Sequence, residues 1–307
     1  MTTHLETPVA PFEMKVGMTP FTLRHDLSVN PLFTLEAMAD LAAALPQDKV
    51  DYNMADLPLD VSGMPVQANG LSRADTVRSI RENGSWMVLR EIDHQPAYRQ
   101  LLDEIVDQIA EMTGTAPSAF THRTALGFVT SPGGMTPFHL DSEHNFLLQI
   151  TGRKRMTIVP GVAAMSPEDI EISPSKSRYI EFRPGFAPLA MTFDLGPGDA
   201  LCVPFNDPHY VENGDEVSVS LGITFHDADT RRRRKIQTMN HMLRRVGLPQ
   251  PVPGIRPKSD GVKVAAYDTV NAVLDPIRRN EKTRQFVKRH ILRGAALTPD
   301  KADAQPT

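Results

Sequence analysis

Cysteine is nearly absent: Cys202 is the only one in 307 residues. That excludes an intramolecular disulfide and any thiolate-built zinc cluster, and it fits a reducing compartment. No run approaches the roughly 20 consecutive apolar residues of a membrane span. The opening MTTHLETPVAPFEMKVG has no apolar core of the signal-peptide kind. A soluble, cytoplasmic protein with no membrane partner is therefore expected. Charge of one sign is also lacking. With 33 basic against 37 acidic residues the formal net charge is −4, which gives no global attraction to nucleic acid or anionic lipid. Internal repeats and low-complexity tracts are missing too. What remains is 40% hydrophobic content, enough to fill a real core, in a chain sized for one large domain or two small ones. The partner expected on these grounds is a small molecule or a protein.

The texture of the chain changes twice. FTLRHDL (21–27) alternates as a strand does. Thr34 then caps a helix whose Leu35, Met38, Leu41, Ala42 and Leu45 share one face. Residues 50–85 read as loops with a short helix near 72–82, and WMVLREI (86–92) as a strand. Tyr98, Leu101, Leu102, Ile105, Ile109 and Met112 mark a second helix that stops at Gly114. From about 120 to 226 come short β-like runs separated by Pro and Gly: TALGFVT, NFLLQI, KRMTIVP, AMTFDL, DALCVPF and SVSLGITF. That spacing predicts a sandwich or barrel. Helical patterning returns beyond 230, with Ile236, Met239, Leu243 and Val246 on one face. It breaks at LPQPVPGIRP (248–257) and resumes near 262–274 and 277–292.

Chemistry concentrates in TPFHLD (136–141). On a strand, residues two apart point the same way, so His139 and Asp141 converge on one ion while Leu140 faces the other layer. A third ligand candidate, His209, follows in GPGDALCVPFNDPHYVENGD. Two imidazoles and one carboxylate form the facial triad of non-haem iron(II) oxygenases, with open positions for a cosubstrate and dioxygen. HxD alone is a weak signal, since most such pairs in strands are ordinary surface residues. NFLLQITGRKRMTIVP reads as a hairpin turning at TGR, and its returning strand places Lys154, Met156 and Ile158 on one face. A lysine on an apolar face is costly to bury unless an anion meets it; the bland alternative is that it snorkels at the strand start.

Taken together, TALGFVTSPGGMTPFHLDSEHNFLLQITGRKRMTIVPG and GPGDALCVPFNDPHYVENGD resemble the JmjC or cupin-like branch of the 2-oxoglutarate-dependent oxygenases. The segment is similar to the asparaginyl hydroxylase that modifies the hypoxia-inducible factor and to bacterial cupin-like proteins. The likeness covers about residues 120–226 and rests on joint spacing. A Thr stands three before the first ligand, an Asn six after it and a Lys fifteen after it, and a GPGD turn and a Pro precede the second His. The resemblance implies a double-stranded β-helix (119–228) wrapped by an N-terminal α/β segment (1–118) and followed by a helical region (229–307) that pairs into a homodimer. It implies His139, Asp141 and His209 as Fe(II) ligands, and Lys154 with Thr136 on the distal carboxylate of 2-oxoglutarate. Asn145 is implied beside the cosubstrate or a ligand, with a further contact at Ser220 or Thr224. The implied activity is O2-dependent hydroxylation of a protein side chain or small metabolite, coupled to decarboxylation of 2-oxoglutarate. The sequence departs from the family where aromatic residues often precede the second His: Asn206, Asp207 and Pro208 stand there. No match is evident for the N-terminal Tyr that often holds 2-oxoglutarate. These departures put the choice of substrate in doubt more than catalysis.

Two other classes compete: a non-catalytic cupin-like binding or regulatory protein, and a cupin enzyme that uses a metal without 2-oxoglutarate. Joint retention of Thr136 and Lys154 with all three ligands favours the oxygenase. Elsewhere, RRRRK (231–235) opens a helix next to Asp227 and Asp229 and reads as a solvated or interface face. Cys202 reads as a small buried apolar residue. Trp86 is a cleft candidate, although a lone Trp at a strand start is more often core. His122, His144 and His241 lack ligand spacing, and Arg153 and Arg155 fall opposite Lys154 as solvent or subunit-contact residues.

Overall fold

A computed structural model of the chain describes residues 3–6, 19–55, 59, 69–161, 165–172 and 179–279. It consists of two compact units, Met1–Gln250 and Pro251–Thr307. In the first, twelve strands are described: β1 (Leu5–Glu6), β2 (Phe21–His25), β3 (Val50–Met54), β4 (Ser85–Leu89), β5 (Thr121–Thr130), β6 (Met135–His139), β7 (His144–Thr151), β8 (Lys154–Ile158), β9 (Met191–Leu195), β10 (Asp199–Val203), β11 (His209–Asn213) and β12 (Ser218–His226). Helices α1 (Leu35–Ala44), α2 (Arg73–Arg78), α3 (Pro96–Met112), α4 (Pro167–Ile172) and α5 (Ala228–Arg245) accompany them. The second unit holds α6 (Pro257–Arg279). Among the described residues no helix is long and apolar enough to cross a membrane.

The strands form two antiparallel sheets, ordered β1-β2-β10-β7-β12-β5-β4-β3 and β6-β11-β8-β9. From β5 to β12 the chain passes back and forth between the sheets, which is the winding of a double-stranded β-helix. Only β8 and β9 are consecutive neighbours in one sheet within this core. The TGR turn therefore does not close a hairpin. It carries the chain from β7, in the large sheet between β10 and β12, to β8, in the small one. The alternation expected for β8 is nevertheless present, with Lys154, Met156 and Ile158 buried together and Arg155 exposed.

The central strands of the large sheet are buried on both faces, which is why they read as near-continuous apolar runs. On β12, Val219, Leu221, Ile223 and Phe225 enter a core shared with α1 and α3, while Gly222 and Thr224 face a cavity inside the barrel. Leu102, Ile105 and Ile109 of α3 are fully buried in that core. Each such side chain contributes about 1.5–3 kcal/mol. Tertiary packing therefore outweighs the marginal stability of the helix alone. Thr34 Oγ1 accepts from Ala37 N at 3.2 Å and starts α1 where the capping pattern places it.

The boundaries differ from those expected. The described strands before 118 join the large sheet directly: β2 pairs with β10 and β4 with β5, so the N-terminal third extends both of its edges. The compact unit also includes α5 and ends at Gln250 rather than near 228. The strand read at 86–92 stops at Leu89, because Glu91 adopts a left-handed φ of 52°. The helix near 72–82 spans only Arg73–Arg78, and α6 runs unbroken to Arg279. The rest of the stretch read at 277–292 lies outside the described residues.

Gly152 makes the crossing between sheets possible. Its φ is +71°, and a Cβ there would lie 2.3 Å from the Val217 carbonyl oxygen. Gly152→Ala is expected to destabilise the fold by about 2–3 kcal/mol, read as a lowered midpoint in thermal denaturation. An unchanged midpoint would refute this account of the turn.

Candidate active site

Strands β6 and β11 are antiparallel neighbours in the small sheet, and their register sets His209 directly beside His139. The two rings lie 4.3 Å apart, centre to centre. Asp141 does not share a strand with His139, since β6 ends at His139. The loop 204–208 positions it instead: Asn206 N donates to the Asp141 carbonyl at 3.0 Å, and Asn206 itself sits at φ 62°. Asp141 Oδ2 is 3.8 Å from His209 Nε2, and the three residues offer donor atoms within 4.8 Å of one another. This is the only such group of three or more His, Cys, Asp or Glu side chains among the described residues.

Each imidazole is oriented by a backbone carbonyl two residues earlier. His139 Nδ1 donates to Pro137 O at 2.8 Å and His209 Nδ1 to Asp207 O at 3.0 Å. With the proton held on Nδ1, the lone pair is on Nε2, the arrangement a metal ligand needs. Asn145 Nδ2 donates to Asp141 Oδ2 at 2.8 Å and fixes that carboxylate. Asp207 is buried, and its Oδ1 accepts from Gly161 N at 2.7 Å. Burial pushes its carboxyl up to about 6 despite that hydrogen bond. Two Nε2 donors and one carboxylate suit a first-row divalent metal such as Fe(II).

The triad opens on a cavity of about 260 Å³. Thr136, Asn145 and Lys154 line it, as do Met156, Val211, Gly222 and Thr224. Lys154 is 6% exposed, its ammonium stands 5.6 Å from the centre of the Phe128 ring, and it forms no ion pair among the described residues. Burial holds it down at about 7. A buried cation facing a cavity without a counter-charge matches what a dicarboxylate would supply. Ser220 is a correction. It does not line the cavity, and its buried hydroxyl donates to Gln149 Oε1 at 2.7 Å, so Thr224 is the β12 hydroxyl that reaches the site.

Among the cavity residues that the sequence reading did not single out are Arg90, Phe128 and Tyr179. Arg90 was visible in principle, because strand alternation puts Trp86, Val88 and Arg90 on one face. Trp86 is both core and cleft: it is 6% exposed and lines the cavity. Tyr179 joins the site through a backbone bridge to His139, for which no periodic signal exists. His144 faces away, with Nε2 3.1 Å from Asp227 Oδ2. Cys202 is fully buried, and of the basic run Arg233 pairs with Asp229.

Residues 98–231 match the family model described as the JmjC domain. The matched span holds the triad, Thr136, Asn145 and Lys154, whereas Trp86 and Arg90 lie outside it. No curated protein matches the chain. Among solved structures the chain is similar to Escherichia coli YcfD, at 15% identity and TM-score 0.47 over 92% of this chain and 72% of that one. For the structure of that ribosomal oxygenase with cobalt and 2-oxoglutarate the values are 17% and 0.45, over 86% and 64%. Bacillus subtilis oxalate decarboxylase matches at 29% identity and TM-score 0.24, over 34% and 22%.

The burial of Lys154 has a measurable consequence. Its value of about 7 is below the ordinary 10.5, so the folded chain binds fewer protons between them. The cost of the buried charge is therefore full below about pH 7 and disappears as pH rises toward 10.5. A dicarboxylate that restores the charge takes up a proton on binding at about pH 8. Calorimetry of 2-oxoglutarate binding in buffers of differing ionisation enthalpy should show that uptake in wild type and not in Lys154→Met. Equal proton linkage in both would contradict the assignment.

Proposed function

We propose that this chain is an Fe(II)- and 2-oxoglutarate-dependent oxygenase that hydroxylates a protein side chain or small metabolite. One observation carries the reading: a His139–Asp141–His209 donor set and a buried, uncompensated Lys154 line the same cavity, inside the span that matches the JmjC domain.

In this reading His139, Asp141 and His209 hold the metal. Bound there with 2-oxoglutarate and O2, Fe(II) supplies the oxidising chemistry: the cosubstrate becomes succinate and CO2, and one oxygen atom enters a C–H bond of the substrate. The protein's own tasks are binding and orientation. Lys154 and Thr136 take the distal carboxylate, and the ammonium gains from a low-dielectric setting with Phe128 beside it. Asn145 holds Asp141 to one orientation, so that its second oxygen is presented consistently. Trp86, Val88 and Leu126 line the cavity with apolar surface and exclude water from the oxidation. Val262 and Val270 of α6 are exposed and support pairing with a second copy.

The test is succinate formation from 2-oxoglutarate with Fe(II) and ascorbate. Wild type should produce succinate, and His139→Ala and Lys154→Ala should each lower the rate by at least about a hundredfold. Rates unchanged by either substitution would refute the site. A wild-type protein that binds 2-oxoglutarate without forming succinate would favour the non-catalytic cupin reading.

A further inference from the structure

We propose that Arg90 is the substrate-selecting residue of the cavity: it docks an oxyanion of the substrate, a carboxylate or phosphate ester, and the cavity rejects cationic side chains. The proposal rests on the oxygenase reading for what happens after docking, and on the cavity wall alone for the docking itself.

Strand β4 and the residue that follows it lie outside the span that matches the JmjC domain and contribute Trp86, Val88 and Arg90 to one side of the cavity. Two of the three are apolar, so charge on this wall comes from Arg90. Among the described lining residues the basic side chains are Arg90 and Lys154, of which Arg90 stays charged throughout, and the one carboxylate is Asp141, which belongs to the metal triad. No other described lining residue offers a counter-charge to an incoming ammonium or guanidinium. Burying such a group without a partner costs several kcal/mol. An oxyanion meets the opposite situation.

Arg90 is poised to exchange partners. Its Nε donates to Asp51 Oδ2 at 2.5 Å, and Nη2 pairs with the same oxygen. A guanidinium has five N–H donors in a planar fork suited to bidentate oxyanions, and no other side-chain partner of Arg90 is found among the described residues. The Asp51 and Arg90 side chains are 44% and 38% exposed. An ion pair so solvated contributes little to stability. A substrate oxyanion therefore displaces or shares this contact at small cost.

The test uses the chain's only tryptophan, Trp86, which stands on the same wall as Arg90. Its fluorescence is followed while the amides of N-acetylaspartate, N-acetylphosphoserine, N-acetyllysine and N-acetylarginine are titrated in. Titrations are run with and without Mn(II) and 2-oxoglutarate. The acidic probes should give saturable changes, the one that binds more tightly identifying carboxylate or phosphate as the preferred group, and the basic probes should give none. Arg90→Gln should weaken the acidic probe by roughly tenfold or more. Asp51→Asn, which removes the competing carboxylate, should leave that affinity unchanged or tighten it. If Arg90 only ties β3 to β4, the two substitutions would lower the thermal midpoint alike and leave probe binding equal to wild type, which overturns the proposal. Basic probes binding as well as acidic ones, or no saturable response to any probe, would also overturn it. Failure of wild type to bind 2-oxoglutarate, with the Arg90-dependent response intact, would instead sink the oxygenase reading and leave this one standing.

Discussion

The site depends on one cross-strand register. His139 and His209 are neighbours only because β6 and β11 pair so that these two residues face each other across the small sheet. A slip of β11 by one residue would turn His209 to the opposite face, away from His139 and Asp141. The surrounding structure secures that register from several directions. On its other edge β11 is paired along its full length with β8, whose first residue is Lys154. The same strand pairing that assembles the triad thus also sets where the buried ammonium stands.

That coupling gives the cavity two ends of different character. Near the triad, backbone carbonyls and Asn145 orient the donors, so the polar groups there are satisfied by short-range hydrogen bonds. Lys154 has no such compensation and pays desolvation instead. A fold evolving for stability alone would replace it with an apolar residue of similar volume. Its retention at a buried position makes sense when an anion arrives to share the cavity. The β4 wall adds a third element, an arginine held by a solvated aspartate, at the end of a strand that the barrel core borrows from the N-terminal third of the chain.

Much of this was legible in the sequence because metal sites in barrels rest on short-range spacing. TPFHLD, Asn145 and Lys154 lie within one stretch of three successive strands, and His209 follows a recognisable turn. The crossing of the chain between sheets was not legible, since the TGR turn has the same composition as a hairpin loop and only sheet partners distinguish the two. Ser220 shows another limit. The resemblance left Ser220 and Thr224 as alternatives on one face of β12, but depth along the barrel decides which reaches the cavity, and Gln149 takes the Ser220 hydroxyl. Alternation groups Arg90 with Trp86, but only the pairing of β4 with β5 turns that face to the cavity, and Tyr179 was hidden because a tertiary bridge to His139 brings it to the site.

The central claim is that the triad and Lys154 hold a metal and a keto acid together. Anaerobic visible absorption tests it directly, because an Fe(II) centre chelated by 2-oxoglutarate has a metal-to-ligand charge-transfer band. Wild type should develop that band on addition of Fe(II) and 2-oxoglutarate, His209→Ala should not, and Lys154→Gln should require far more 2-oxoglutarate to reach it. No band in wild type, or a band of equal intensity and midpoint in both variants, would contradict the account.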